Sequence, residues 1–300
     1  MAFDKQREEF NARAERAKKM GSPKRLAERK ATGILNARER VALLLDKDSF
    51  VEAGLHATSI RADMKDKSPG DGVVSGFGKV ATRLVGVNAA DFTTLGSSSA
   101  EIHGKKQYYV RETCRKNGMP LVNLMECAGG RIPDIMGAAG IGRAGEGARY
   151  THSRETPWAS AVLGLTYGGG AFTCINSDFV AMRKGAVLAV SSSNVTSVAI
   201  AEDSDPEALG GWRLHTESTG FVDVAVDTDE EAIAQLKAFL SYLPDHARMA
   251  PPVASRVEAS ENATKLDTLV PEARGKVYDV RTVIKAIVDR DSYFPIKDRF

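Results

Sequence analysis

Two short glycine-rich stretches hold the residue types best suited to chemistry in this 300-residue chain: CAGGRI, Cys127 to Ile132, and YGGGA, Tyr167 to Ala171. Each follows an apolar run, MPLVNLM before the first and WASAVLGLT before the second. Strand, glycine loop and helix in succession aim backbone N–H groups at one point, and only glycine or alanine lets a ligand approach the main chain that closely. If one amide from each loop converged on a thioester carbonyl, the pair would form an oxyanion hole for the enolate left by loss of the α-proton. Each donor is then worth about 3 kcal/mol of barrier. The candidate catalytic positions are therefore Gly129, Gly130, Gly169 and Gly170. Spacing alone leaves a second reading open, in which the same glycines simply let strand and helix pack closely.

Other chemistry finds less support. Gly140, Gly142 and Gly145 satisfy a G-x-G-x-x-G pattern, but the preceding RIPDIMGAA is no strand. None of the five histidines forms a metal-type pair with another or with a cysteine, so no metal is implied. There is no G-x-S-x-G elbow. His103 and His215 suit structural hydrogen bonding as well as acid–base work, and Glu126, beside the first loop, shows no partner that would make an acidic pair. Chemistry with neither metal nor evident nucleophile suits enolate stabilisation, with the base supplied by a cofactor.

The elements that must position these loops can be read around them. Residues 70–93 alternate β-formers with glycine and break near Gly78 and Ala81 to Arg83, which predicts two or three strands. A helix is predicted from about Ser99 to Lys116, stopping at Asn117 and Gly118. The apolar runs before the two loops predict buried strands, and further strands are expected at Phe179 to Met182, Ala186 to Ser191 and in VDVAV. Glu230 to Leu243 has helical apolar spacing, and Phe3 to about Asp46 predicts one or two helices. After Leu243 comes a Pro-bearing connector of about thirty residues, uncommonly long inside a compact domain, and VYDVRTVIKAIVDRDSYF then begins a new helix. The expected organisation is a helical segment at 1–65, an α/β domain at 66–244, and a linker with the start of a second domain at 245–300.

Composition narrows the classes. With 43% hydrophobic and 27% charged residues the chain should fold. Forty-one basic against 39 acidic residues leave +2, no global field for a nucleic acid. The first forty residues hold 12 Lys or Arg against six Asp or Glu, which serves either as a solvated helical face or as a hold on an anionic partner. Cys114, Cys127 and Cys174 are odd in number and widely spaced, which predicts buried free thiols in a reducing compartment. No membrane span and no apolar leader are read, so a cytoplasmic protein is expected.

The ordered segments resemble the carboxyltransferase (beta) subunits of biotin-dependent acyl-CoA carboxylases, of the acetyl- and propionyl-CoA carboxylase type. The matching stretches are ARERVALLLDKDSFVE, GDGVVSGFGKV with the DFT of Asp91 to Thr93, EIHGKK, CAGGRI, YGGGAF, EALGGWRLHTESTG and SYLP, and they cover nearly the whole chain. Seven in order are specific where one would be weak. The resemblance implies a crotonase-like (ClpP/crotonase) α/β fold of stacked ββα units, here a single N-terminal carboxyltransferase domain that binds coenzyme A thioesters. It also implies biotin, as carboxybiotin on a partner carrier domain, as source of both the carboxyl group and the base. Gly169 and Gly170 then belong to the oxyanion hole, with Gly129 and Gly130 as complement.

Coenzyme A brings a polyphosphate, so Arg131, Ala171, Lys105 and Lys106 are the candidate cofactor-binding residues, with Arg143 and Arg149 as further cations; for each cation a plain surface role is the alternative. Implied partners are a biotin carboxylase, a biotin carrier subunit and a second carboxyltransferase domain in a homo- or hetero-oligomer, with no nucleic acid and no membrane. The chain departs from the pattern at three places: Cys127 and Ala128 open a loop that commonly reads SGGARI, GSSSAE replaces a glycine-rich GGSLGE, and Pro133 replaces a glutamine. Two rivals remain: a biotin-dependent acyl-CoA decarboxylase subunit, and a non-catalytic acyl-CoA-binding or assembly subunit.

Overall fold

The β-forming runs pair into one mixed, eight-stranded sheet in a computed structural model that describes residues 3–146, 153–253 and 263–300. The strands are β1 (Val51–Ala53), β2 (Val73–Val80), β3 (Arg83–Ala90), β4 (Leu121–Cys127), β5 (Trp158–Tyr167), β6 (Phe179–Arg183), β7 (Val187–Ala189) and β8 (Val224–Val226). Their order is β1-β2-β3-β4-β5-β6-β8, with β7 paired to the far end of β5. β1, β2 and β3 run antiparallel, and every later pairing is parallel. All seven residues of β4 are buried, as a central parallel strand covered on both faces requires.

Helices α1 (Asp4–Lys18), α2 (Pro23–Ala31) and α3 (Ala37–Leu44) precede the sheet. Three form where one or two were expected, because Pro23 starts a second helix and Asn36 caps a third through a reciprocal box with Glu39. α4 (Glu101–Asn117) leads into β4 and ends at Gly118 in the left-handed conformation. α5 (Ile132–Ile135) and α6 (Gly137–Glu146) follow the first glycine loop, and α7 (Gly169–Ile175) follows the second. The G-x-G-x-x-G stretch lies inside α6, so no strand precedes it.

Later come α8 (Ser193–Ile200), α9 (Pro206–Gly210), a single π-helical turn at Leu214–Ser218, and α10 (Asp229–Ser241). Sequence reading missed α8, whose Val and Thr content disfavours helix; a Ser192 cap on the Val195 N–H starts it. Gly78 is another difference. It sits inside β2, where a side chain would strike Leu45, and the hairpin turns at Ala81 and Thr82, both with positive φ.

The chain divides into two units, Met1–Ala250 with Lys297–Phe300, and Pro251–Ile296. The second unit carries α11 (Leu266–Leu269) and α12 (Val280–Ile287), with the Lys285 ammonium 5.0 Å from the Tyr293 ring centre.

A buried ionic cluster ties α2 and α3 to the sheet. Arg40, 1% exposed, donates from Nη1 to Glu126 at 2.9 Å and from Nε to Asp229 at 2.8 Å. Arg29 grips the same Glu126 with two bonds of 2.9 and 2.6 Å, and Arg183 lies 3.3 Å from Asp229. Glu126 is thus ion-paired with two arginines rather than joined to a second acid. Its two arginine partners lie far away in sequence, which is why the sequence showed none, and they make it a structural carboxylate.

Candidate active site

The glycine loops leave the sheet at the ends of adjacent parallel strands, the first after β4 and the second after β5. They approach each other closely: a side chain added at Gly168 would lie 3.8 Å from the Gly129 Cα, and one added at Gly129 would lie 3.8 Å from the Tyr167 Cβ. Two conformations make the turns. Gly129 has φ 93°, and Gly168 has φ 57° with ψ −122°, a region essentially closed to residues with a Cβ.

The segment before α4 pins the first loop. Ser99 N–H donates to Gly129 O at 2.7 Å, Arg131 N–H to Ser99 O at 2.8 Å, and Ala128 N–H to Gly96 O at 2.9 Å. These bonds hold Gly129 and Arg131 on one side of the strand. The Gly130 N–H, between them, has no acceptor among the described residues, and neither has that of Gly169 at the first position of α7. Both glycines line one cavity of about 310 Å³, bounded elsewhere by residues of β3, β4 and α4.

The other two candidate glycines face away from that space. Gly129 N–H points to Cys127 Sγ at 3.4 Å, and the Gly170 main chain also hydrogen-bonds that sulfur. A side chain at Gly170 would lie 2.9 Å from Cys127 Cβ, so this glycine allows α7 to pack on β4. Of the two readings left open by spacing, tight packing describes Gly170 and also Gly130, where a side chain would lie 2.4 Å from Ile135 Cδ1, while Gly130 and Gly169 in addition line the cavity. Burial pushes the Cys127 thiol well above its usual range.

Arg131, Ala171, Lys105 and Lys106 were expected at coenzyme A, and the structure encloses three of them. Arg131 is 4% exposed; its Nη1 bonds Asp71 at 2.7 Å and its Nη2 bonds Ser98 O at 3.0 Å. Lys106 is 6% exposed and donates to Gly70 O at 2.7 Å and Val73 O at 2.5 Å; burial lowers its pKa to about 8. The Ala171 side chain packs in the core against Cys174 and Val162. The charged ends of Arg131 and Lys106 are thus bonded inside the fold, Arg131 to Asp71 and Ser98 and Lys106 to the segment at Gly70 and Val73. Lys105 is exposed and pairs with Glu101 at 2.6 Å, and Arg143 meets the same carboxylate at 3.1 Å. Arg149 lies outside the described residues.

Asp71 is the hub beneath this wall. Besides Arg131, its carboxylate accepts the His103 N–H at 2.8 Å, and its carbonyl lies 3.0 Å from His103 Nδ1. A carbonyl only accepts, so Nδ1 carries the proton and Nε2 the lone pair. Burial lowers the His103 pKa to about 4 and keeps the ring neutral. His215 is held by Leu188 O at 2.7 Å from Nε2.

Sequence reading missed the residues of the inner wall, chiefly Asn88, Asn123 and Gln107. A signal was present: each asparagine interrupts an otherwise apolar strand.

The pattern described as the carboxyl transferase domain matches residues 28–300. The propionyl-CoA carboxylase beta chain of Roseobacter denitrificans is 33% identical over 304 residues, covering 98% of this chain and 58% of that protein. The same-named chain of Saccharopolyspora erythraea is 34% identical, covering 93% of this chain and 54% of its own. The chain therefore spans somewhat more than half the length of these relatives. Among solved structures, the transcarboxylase 12S hexamer with hydrolysed methylmalonyl-coenzyme A bound superposes with TM-score 0.88 at 28% identity, over 97% of this chain and 58% of that one. A single-chain, multi-domain long-chain acyl-CoA carboxylase gives 0.85 at 26% identity, over 98% of this chain and 30% of that one. These neighbours bear out the crotonase-like expectation for the fold.

Proposed function

Because the chain belongs to the carboxyl transferase domain family, we propose that it forms the acyl-CoA side of a biotin-dependent acyl-CoA carboxyltransferase. The observation that carries this reading is the pair of main-chain N–H groups, Gly130 and Gly169, that have no acceptor among the described residues and border one cavity. In this reading a thioester carbonyl accepts from both. The donors are held by a backbone that only glycine adopts at Gly168, so they need no rearrangement as charge grows on the oxygen. Gly129 and Gly170 support the hole from behind, through Cys127 Sγ.

Carboxylated biotin on a partner's carrier domain would supply the carboxyl group and the base. The chain's own part is binding and orientation. Glu126 is committed to Arg29 and Arg40 and takes no acid–base role. Lys105 and Arg143, exposed on α4 and α6, are the cations proposed for the coenzyme A phosphates. A second carboxyltransferase domain, a biotin carrier and a biotin carboxylase are the partners this reading calls for.

The test is transfer of a radiolabelled carboxyl group to an acyl-CoA with the second domain and biotin carrier supplied. Gly169→Val keeps the N–H but sets a branched side chain in the carbonyl's approach, and is expected to lower transfer by about a hundredfold or more, as much as the loss of one oxyanion donor, with a native circular dichroism spectrum. Undiminished turnover in the folded variant rejects the amide assignment. Thioester binding without any transfer by the unmodified chain favours the non-catalytic subunit. Transfer only from a carboxylated acyl-CoA to biotin marks a decarboxylase.

A further inference from the structure

The inner wall of the cavity carries groups that the glycine loops do not account for. Ser75, Asn88, Asn123 and Ser160 are register partners across β2, β3, β4 and β5, so four polar side chains form one transverse row through apolar strands. All are 2% exposed or less. The row is chained: Asn88 Nδ2 lies 3.4 Å from Asn123 Oδ1, Asn123 Nδ2 lies 3.3 Å from Ser160 Oγ, and Ser160 Oγ lies 2.6 Å from Ser177 Oγ.

The chain of bonds is incomplete at the cavity. Asn88 Oδ1 is buried without a partner among the described residues, and so is Gln107 Nε2 on α4; both residues line the cavity. An unmet buried donor or acceptor destabilises the fold, and apolar residues of the same shape would avoid that cost. His103, which also lines the cavity, adds a ring nitrogen left with its lone pair. One unmet acceptor and one unmet donor on residues that line the same cavity complement a hydroxyl, which gives a proton to the first and accepts from the second.

We propose that Asn88 and Gln107 read the acyl group, so that this cavity favours coenzyme A thioesters whose acyl chain carries a hydroxyl towards its far end over plain alkyl thioesters. The inference rests on the acyl-CoA reading above and narrows its substrate class. It also sets a length. Asn123 lies four residues before Cys127 on β4, about 13 Å of strand, so the group that reaches this row from the loops ends a medium-length chain rather than an acetyl or propionyl unit. The competing occupant is ordered water, which also gives and accepts hydrogen bonds.

Calorimetric titration of the full chain decides between them. The probes are coenzyme A and acyl-CoA pairs of matched length, short to medium, that differ only by a terminal hydroxyl. At the medium lengths the hydroxylated member is expected to bind about tenfold tighter, the worth of one well-made hydrogen bond. Asn88→Leu and Gln107→Leu should each bring that ratio towards one. Gln107 is half-buried on a helix surface, so its variant keeps the test alive if Asn88→Leu fails to fold. Equal affinities within every pair, or a preference unchanged in both folded variants, overturn the proposal and leave the wall to water. Failure of coenzyme A and every thioester to bind is a different result: it overturns the acyl-CoA reading itself, and this inference with it.

Discussion

Replacing Arg40 by methionine tests whether the buried ionic cluster holds the helical segment on the sheet. Methionine keeps much of the aliphatic stem and removes a guanidinium that is 1% exposed and bonded to both Glu126 and Asp229. Removing one partner of a buried ion pair costs about 3–5 kcal/mol, because the remaining charge is left without its counter-charge. Here neither carboxylate is abandoned: Glu126 keeps Arg29 at 2.6 Å, and Asp229 keeps Arg183 at 3.3 Å. The loss should therefore fall near the lower end, about 3 kcal/mol.

For a unit of this size a urea m-value near 3 kcal/mol/M turns that loss into a midpoint lower by about 1 M. Urea titration followed by circular dichroism and by tryptophan fluorescence measures it. Arg29→Met, at the more exposed edge of the cluster, should lose less. A midpoint for Arg40→Met equal to that of the unmodified chain refutes the reasoning, and so does a larger loss in Arg29→Met than in Arg40→Met.

Two further outcomes are expected. The His103 pKa is lowered from 6.5 to about 4 by burial, so the unfolded state binds the extra proton between those values; the contribution is full above pH 6.5 and is lost as pH falls towards 4, on the order of 3 kcal/mol in all. His103→Gln should show a shallower fall in melting temperature over that window, and identical slopes would reject the assignment. Cys114, Cys127 and Cys174 are buried, with burial pushing Cys114 to about 12 and the other two upwards, so a thiol reagent at neutral pH should leave the native chain unlabelled and modify all three after denaturation; prompt labelling of the native protein would contradict the placement.

The strands and loops were legible in the sequence because they are written in local patterns. β4 and β5 show as mainly apolar runs, α10 shows in its spacing, and the glycines after both strands mark where the chain must turn. α8 stayed hidden because β-branched side chains carry the wrong local preference, and only its cap and its surroundings make it helical.

What each residue does was settled by partners far away in the chain. Arg131 looks like a phosphate ligand until Asp71, sixty positions earlier, encloses it. Glu126 looks unpaired until Arg29 and Arg40 arrive from the first helices. Among the glycines, the local pattern marks all four alike, whereas the tertiary structure turns Gly129 and Gly170 to a buried sulfur and leaves Gly130 and Gly169 on a cavity. Backbone conformation is a local property, so amino-acid order alone determines where the loops bend. Desolvation and pairing depend on what else is packed there, and that is decided only when the sheet brings distant segments together.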